Sequence, residues 1–202
     1  MNVNRSTIID SLDERFEGSD TALGFVYCNY QEQNEQTVNN LIAALLRQLI
    51  EPRVEIPSGI LELHQKHLQR QTRPSLAELS AQLQSMVQSY TETFLVIDAL
   101  DECNGNRRKN TSFDDRTRFL DELRKLPPSV HLLITSRPDL KLEFENTTSI
   151  EIIGNDSDIR SYINGRLKHE HGWLADPHLQ THIVDTIARR AQGMLVLCDS
   201  QS

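Results

Sequence analysis

Apolar positions recur along this chain in two rhythms, one helical and one of strand length. Ile8, Ile9, Leu12 and Phe16 share a helical face, and Gly18 closes that helix. Leu23–Tyr27 is a short apolar run of strand length. Val38, Leu41, Ile42, Leu45, Leu46 and Leu49 follow the i, i+3, i+4, i+7 spacing, which predicts an amphipathic helix over 35–50. Pro52 and Pro57 bound a turn, and a less apolar helix covers 59–70. Ser75 and Glu78 have capping-box spacing ahead of a stripe of Leu76, Leu79, Leu83, Val87 and Tyr90.

The second half continues the alternation. Phe94–Ile97 and Val130–Ile134 are apolar runs of the kind expected of buried parallel strands, and Ile150–Ile153 is a third. Between them, 103–112 reads as a polar loop. A helix with Phe119, Leu120 and Leu123 inward covers 115–126, and Pro127-Pro128 stops it. Asp156 is the expected cap of a helix carrying Ile159, Ile163 and Leu167. Leu179, Ile183, Ile187 and Ala191 predict a last helix, with Gly193 as its C-terminal cap. Strands separated by helices argue an α/β fold with a mostly parallel sheet.

Composition narrows the function classes. The chain has 202 residues and a net charge of -8, which disfavours nonspecific binding to nucleic acid or to an anionic membrane. Cys28, Cys103 and Cys198 are odd in number and far apart in sequence, which argues against a disulfide scaffold or a CxxC zinc site. No uncharged apolar stretch reaches the roughly 20 residues needed to span a bilayer, and the first residues, MNVNRST, open no signal region. These features predict a cytoplasmic protein.

The chemistry concentrates at two strand ends. In FLVIDALDEC a buried run ends on Asp98, with Asp101 and Glu102 following. A carboxylate at the carboxyl end of a parallel strand lies where open α/β sheets bind ligands, and a hydrated Mg²⁺ held against phosphate oxygens would stabilise it there. Glu102 is placed to orient or deprotonate a water. The alternative is a strand followed by a solvated acidic turn. In LLITSRP, a second strand ends on Thr135, Ser136 and Arg137, and an arginine at this edge can reach a terminal phosphate.

FLVIDALDEC resembles the Walker B strand of NACHT-type (STAND) signalling P-loop NTPases, and LLITSRP resembles their sensor strand. The ordered set YCNYQEQNEQTVNNLIAALLRQL, TRPSLAELSAQL, IDALDEC, LLITSRP, DIRSYI and ARRAQGM is similar to the nephrocystin-3-like N-terminal domain of fungal repeat proteins, over residues 6–197. The resemblance implies an ATP- or GTP-dependent switch. Asp98 would hold Mg²⁺, Asp101 and Glu102 would polarise a water, and Arg137, with Thr135 and Ser136, would sense the γ-phosphate.

One part of the pattern is missing. None of the five lysines (66, 109, 125, 141, 168) stands in a Gly-Lys-Ser/Thr tripeptide, the group that cradles nucleotide phosphates. By the resemblance, STIIDSLDERFE at 6–17 matches the helix after that loop. The expectation is therefore an incomplete P-loop NTPase fold, lacking the Walker A strand and loop. Residues 1–154 would form the partial core, and 155–202 would begin a truncated helical region. The absent strand would sit beside the sensor strand, so its edge would be open to intact relatives or to a second copy. Nucleotide binding would be weak. A non-catalytic interaction fragment is the alternative; a nuclease would need a Lys on an adjoining strand, and none is found.

Other candidates have bland readings. His64/His67 and His178/His182 have helical spacing without a third ligand. Cys103 has no histidine partner, and Arg107-Arg108-Lys109 reads as a solvated loop tip.

Overall fold

Alternating burial begins at β1 (Thr21–Tyr27), where every second residue is buried, so one face of the strand is turned to a core. The computed structural model describes residues 7–16, 20–103, 115–138, 140, 142, 144, 147–151, 155–167 and 177–191. β1 pairs in parallel with β2 (Glu92–Asp98), and β2 with β3 (Val130–Ile134), in the order β1-β2-β3. The register sets Tyr27 opposite Asp98 and Ile97 opposite Ile134. All three strands therefore end at one edge.

The helices follow their local signals. Thr37 caps α2 (Val38–Ile50) by accepting from the Asn40 backbone N–H, so the helix starts at 38 rather than 35. α2 buries the six predicted apolar residues. α3 (Ser58–Arg70) has no fully buried residue and ends on Gln71 in the left-handed region, φ 50°. α4 (Leu76–Gln88) opens on the predicted capping box, with Ser75 N–H donating to Glu78 Oε2 at 2.8 Å. α5 (Asp115–Arg124) ends before Pro127-Pro128, its last carbonyls taken by the N–H groups of Lys125 and Leu126.

Ala22, Val26, Leu95 and Ile97 share one core with the inward residues of α2, α4 and α5. Gly24 lies under α2. A Cβ there would meet Leu95 Cδ2 at 3.0 Å and Leu45 Cδ2 at 3.3 Å, so its absence lets helix and sheet close up. α1 (Thr7–Phe16) packs against β1, and Phe16 stacks on Phe94 with ring centroids 4.8 Å apart. Phe94 alternates with Leu95, so α1 lies on the opposite face. This is an α/β fold with a three-stranded parallel sheet flanked by helices, consistent with an incomplete P-loop-like architecture.

Two strand expectations are corrected. Val130–Ile134 is a strand but is not buried on both faces, because His131 and Leu133 are exposed, Leu133 by 39%. β3 has a strand neighbour on one side only among the described residues. Ile150 and Glu151 lie in no strand, and Ile150 is 77% exposed; residues 152–153, like the predicted loop over 104–112 and Gly193, lie outside the described residues.

The chain divides into two compact units, Met1–Phe144 and Glu145–Ser202. The second contains α6 (Asp156–Leu167) and α7 (Pro177–Ala191). Asn155, not Asp156, caps α6: its Oδ1 accepts from the Asp158 N–H at 2.9 Å. The pair packs through Ile159, Ile163, Val184 and Ala188. The face of α7 is therefore rotated from the predicted stripe, leaving Leu179 and Ile187 exposed. Among the described residues, no helix is long and apolar enough to cross a membrane.

Candidate functional site

Past the last paired residues the strands continue into a small hydrogen-bonded knot. Cys28 N–H donates to the Asp98 carbonyl at 2.9 Å, and Thr135 N–H donates to the Ile97 carbonyl at 2.9 Å. The chain then turns sharply at Ala99, whose φ of 53° is costly for a residue with a side chain. The turn continues as the 3-10 segment Leu100–Glu102, which is tied back by Leu100 N–H to the Thr135 carbonyl at 2.9 Å.

Thr135 is the centre of this knot. Its hydroxyl donates to Asp98 Oδ1 at 2.6 Å and accepts from the Ala99 backbone N–H at 2.8 Å. One hydroxyl thus fixes both the Asp98 carboxylate and the left-handed peptide after it. Asp98 Oδ2 has no hydrogen-bond donor among the described residues.

Asp101 faces the exit of β3. It accepts from the Arg137 backbone N–H at 3.1 Å through Oδ1, and pairs with Arg137 Nε at 3.2 Å through Oδ2. The pair is asymmetric, since Asp101 is 16% exposed and Arg137 60%. Glu102 turns the other way, accepting from Tyr30 N–H at 3.3 Å through Oε2, while its carbonyl accepts from Gln33 Nε2 at 3.4 Å. The acidic run is thus divided. Asp98, Asp101, Thr135 and Arg137 form one group, Glu102 is tied to the turn after β1, and Ser136 Oγ donates to the neighbouring Arg137 carbonyl.

The donor set suits part of the implied ligand. A hydrated Mg²⁺ takes one or two carboxylates and completes its shell with water and phosphate oxygens; Asp98, held through Oδ1 and with no donor to Oδ2 among the described residues, fits that role. Among the described residues, no group of three or more His, Cys, Asp or Glu is disposed to hold a metal. A phosphate cradle is a different matter, because the sequence contains no Gly-Lys-Ser/Thr. His67 is occupied in the corner between α3 and α4, with Nδ1 2.7 Å from Thr72 Oγ1 and Nε2 3.2 Å from Glu78 Oε2.

Sequence reasoning missed three features of this edge. Tyr30 and Gln33, on the turn after β1, bind Glu102 through contacts 72 and 69 residues apart in sequence. The strained Ala99 carries no sequence signal. Cys28 and Cys103 are both buried here, and a hydrogen bond to the Cys103 thiol together with burial pushes the Cys28 thiol far above its ordinary range. The one available signal was positional, since each cysteine directly follows a predicted strand or its acidic turn.

Comparison with known families gives a match to the model described as Nephrocystin 3, N-terminal, over residues 3–137. Those residues include all three strands and every residue of the knot. Comparisons with curated proteins and with solved structures give no match. A family match over most of the chain, on the part that builds the sheet and its polar edge, makes this protein a member of the nephrocystin-3 N-terminal family.

Proposed function

We propose that the first unit is the Mg²⁺ and sensor half of a NACHT-type nucleotide switch, the module that ATP or GTP operates in repeat-containing signalling proteins. The observation that carries this reading is the convergence of Asp98, Thr135, Asp101 and Arg137 at the carboxyl edge of a parallel sheet. Asp98 would hold Mg²⁺, which would neutralise charge on the β- and γ-phosphates. Thr135 orients the Asp98 carboxylate. Arg137 rests on Asp101 and, being exposed at its guanidinium, can exchange that partner for a terminal phosphate. Asp101 and Glu102 are the water-polarising pair, and in this resting arrangement each already accepts a hydrogen bond. Without a Gly-Lys-Ser/Thr loop, the 202-residue chain holds nucleotide weakly.

Two measurements on the purified chain test this. Mn²⁺ with ATP, at millimolar concentration, is expected to broaden amide signals of 98–102 and 135–137, and Asp98→Asn is expected to remove the effect. Broadening elsewhere, or none, rejects the reading. A saturable rise in melting temperature at micromolar Mg·ATP or Mg·GTP rejects its weak-binding half.

A second reading is an interaction fragment that associates with relatives or with itself through the β3 edge. It is favoured by the single strand neighbour of β3 among the described residues. Co-purification with a family member in the absence of nucleotide, abolished by Leu132→Pro, which removes an N–H on the side of β3 away from β2, would support it.

A further inference from the structure

We propose that Cys28 and Cys103 are a site of reversible oxidative modification, closing into a disulfide that staples the end of β1 to the acidic turn after β2. This inference does not depend on the nucleotide reading. Cys28 is the first residue beyond β1, anchored by its N–H to the Asp98 carbonyl at 2.9 Å. Cys103 is the first residue beyond the 3-10 turn, with its N–H on the Leu100 carbonyl at 3.2 Å. They are 6% and 1% exposed, belong to the same core cluster, and are not in a disulfide. Seventy-five positions separate them in sequence, yet their side chains share a hydrogen bond.

The chemistry balances with a named class of oxidant. Against a low-molecular-weight disulfide, one cysteine thiolate attacks a sulfur and releases the first small thiol. The second cysteine then attacks the mixed disulfide and releases the other. Against a peroxide, one cysteine gives a sulfenic acid and water, and the second cysteine displaces a second water as the S–S bond forms. In each case the two thiols lose two protons and two electrons.

The environment sets the rate. Both thiols are buried, so an oxidant in solution does not reach them while the edge is closed. The closed edge is therefore slow to react, and oxidation waits for the short turn bearing Cys103 to open. Once formed, the bond would hold Asp101 and Glu102, the residues just before Cys103, against the β1 exit. Oxidation would in this way restrict the turn that carries two of the candidate site residues.

Because access is slow, the test is made at equilibrium. The full chain and its Cys198→Ser variant are incubated across a glutathione redox series, in native buffer and in concentrated urea, quenched with acid and mapped as peptides without reduction. The expected product joins the Cys28 and Cys103 peptides within one chain. Its formation constant in native buffer is expected to exceed that in urea by at least about tenfold, because folding holds the two thiols together. The oxidised chain is expected to melt higher, and reduction to reverse this. Formation no more favourable in native buffer than in urea overturns the proposal. So does pairing with Cys198 or between chains, or glutathione left on a single cysteine. The comparison uses chains with both cysteines in place, so it holds even where Cys103→Ser does not fold.

Discussion

β2 and β3 lie side by side in one parallel sheet and meet different surroundings. β2 has a strand on each side, Leu95, Val96 and Ile97 are buried, and its Phe94 is sandwiched between Phe16 and His131 with ring centroids 4.8 Å away on either side. β3 exposes His131 and Leu133. The contrast extends past the strand ends. Asp98, after β2, is held by the Thr135 hydroxyl, whereas Arg137, after β3, is mostly in water and paired with Asp101. The enclosed and the exposed parts of the candidate site therefore belong to the buried and the open strand respectively.

The sharpest way to break this contrast is to truncate a leucine on each strand. Leu95→Ala leaves a void between β1, β2 and α2 and is expected to cost about 2–5 kcal/mol in urea denaturation. Leu133→Ala is expected to cost less than about 1 kcal/mol. Equal losses would show that the outer face of β3 is covered in solution.

Gly24→Ala probes the covered side from the opposite direction. Its new methyl would press on Leu95 and Leu45, and a loss of about 1–3 kcal/mol is expected by the same measurement. A neutral result would mean that α2 and the sheet can separate freely.

Thr135→Val tests the junction between the two strands. It removes the donor to Asp98 and the acceptor for Ala99 N–H, with an expected loss of about 1–2 kcal/mol, while Thr135→Ser restores most of it. Should serine fail to rescue, packing of the methyl rather than the hydroxyl holds the junction.

The smallest effect concerns acid. Lys66, together with the Ser75 backbone and hydroxyl, holds the Glu78 carboxyl well below its ordinary value of 4.5. A carboxyl lowered by folding stabilises the fold fully above its unfolded value and loses that contribution as pH falls toward the folded one. Glu78→Gln is therefore expected to lower the melting temperature slightly at neutral pH, with the gap to the parent chain narrowing below about pH 4.5. A constant gap would assign the effect to packing. The residue anchors α4 on the covered side, so the variant should leave the signals of 135–137 at the open edge unchanged.

The sequence was legible wherever a local rule fixed the outcome. The stripe of α2, the capping box at Ser75 and Glu78, and the prolines after α5 each act within a few residues, and each element formed where its signal stood. The α7 stripe failed because Leu179 and Ile187 were as apolar as the buried Val184 and Ala188; the partner helix α6 chose the face. Val130–Ile134 was read as buried because its composition matches that of β2, but burial depends on what lies alongside.

The site divides in the same way. Asp98, Asp101, Glu102, Thr135, Ser136 and Arg137 stood out at two strand ends, and parallel pairing was enough to bring those ends to one edge. Which carboxylate meets which donor was not written there. Thr135 reaches Asp98, Arg137 takes Asp101, Tyr30 takes Glu102 and Cys28 meets Cys103 only because the register sets Tyr27 opposite Asp98 and Ile97 opposite Ile134. Local hydrogen bonding and side-chain period determine elements, and the sequence carries both. Contacts between residues tens of positions apart depend on strand order and register, which the packing of the whole sheet decides.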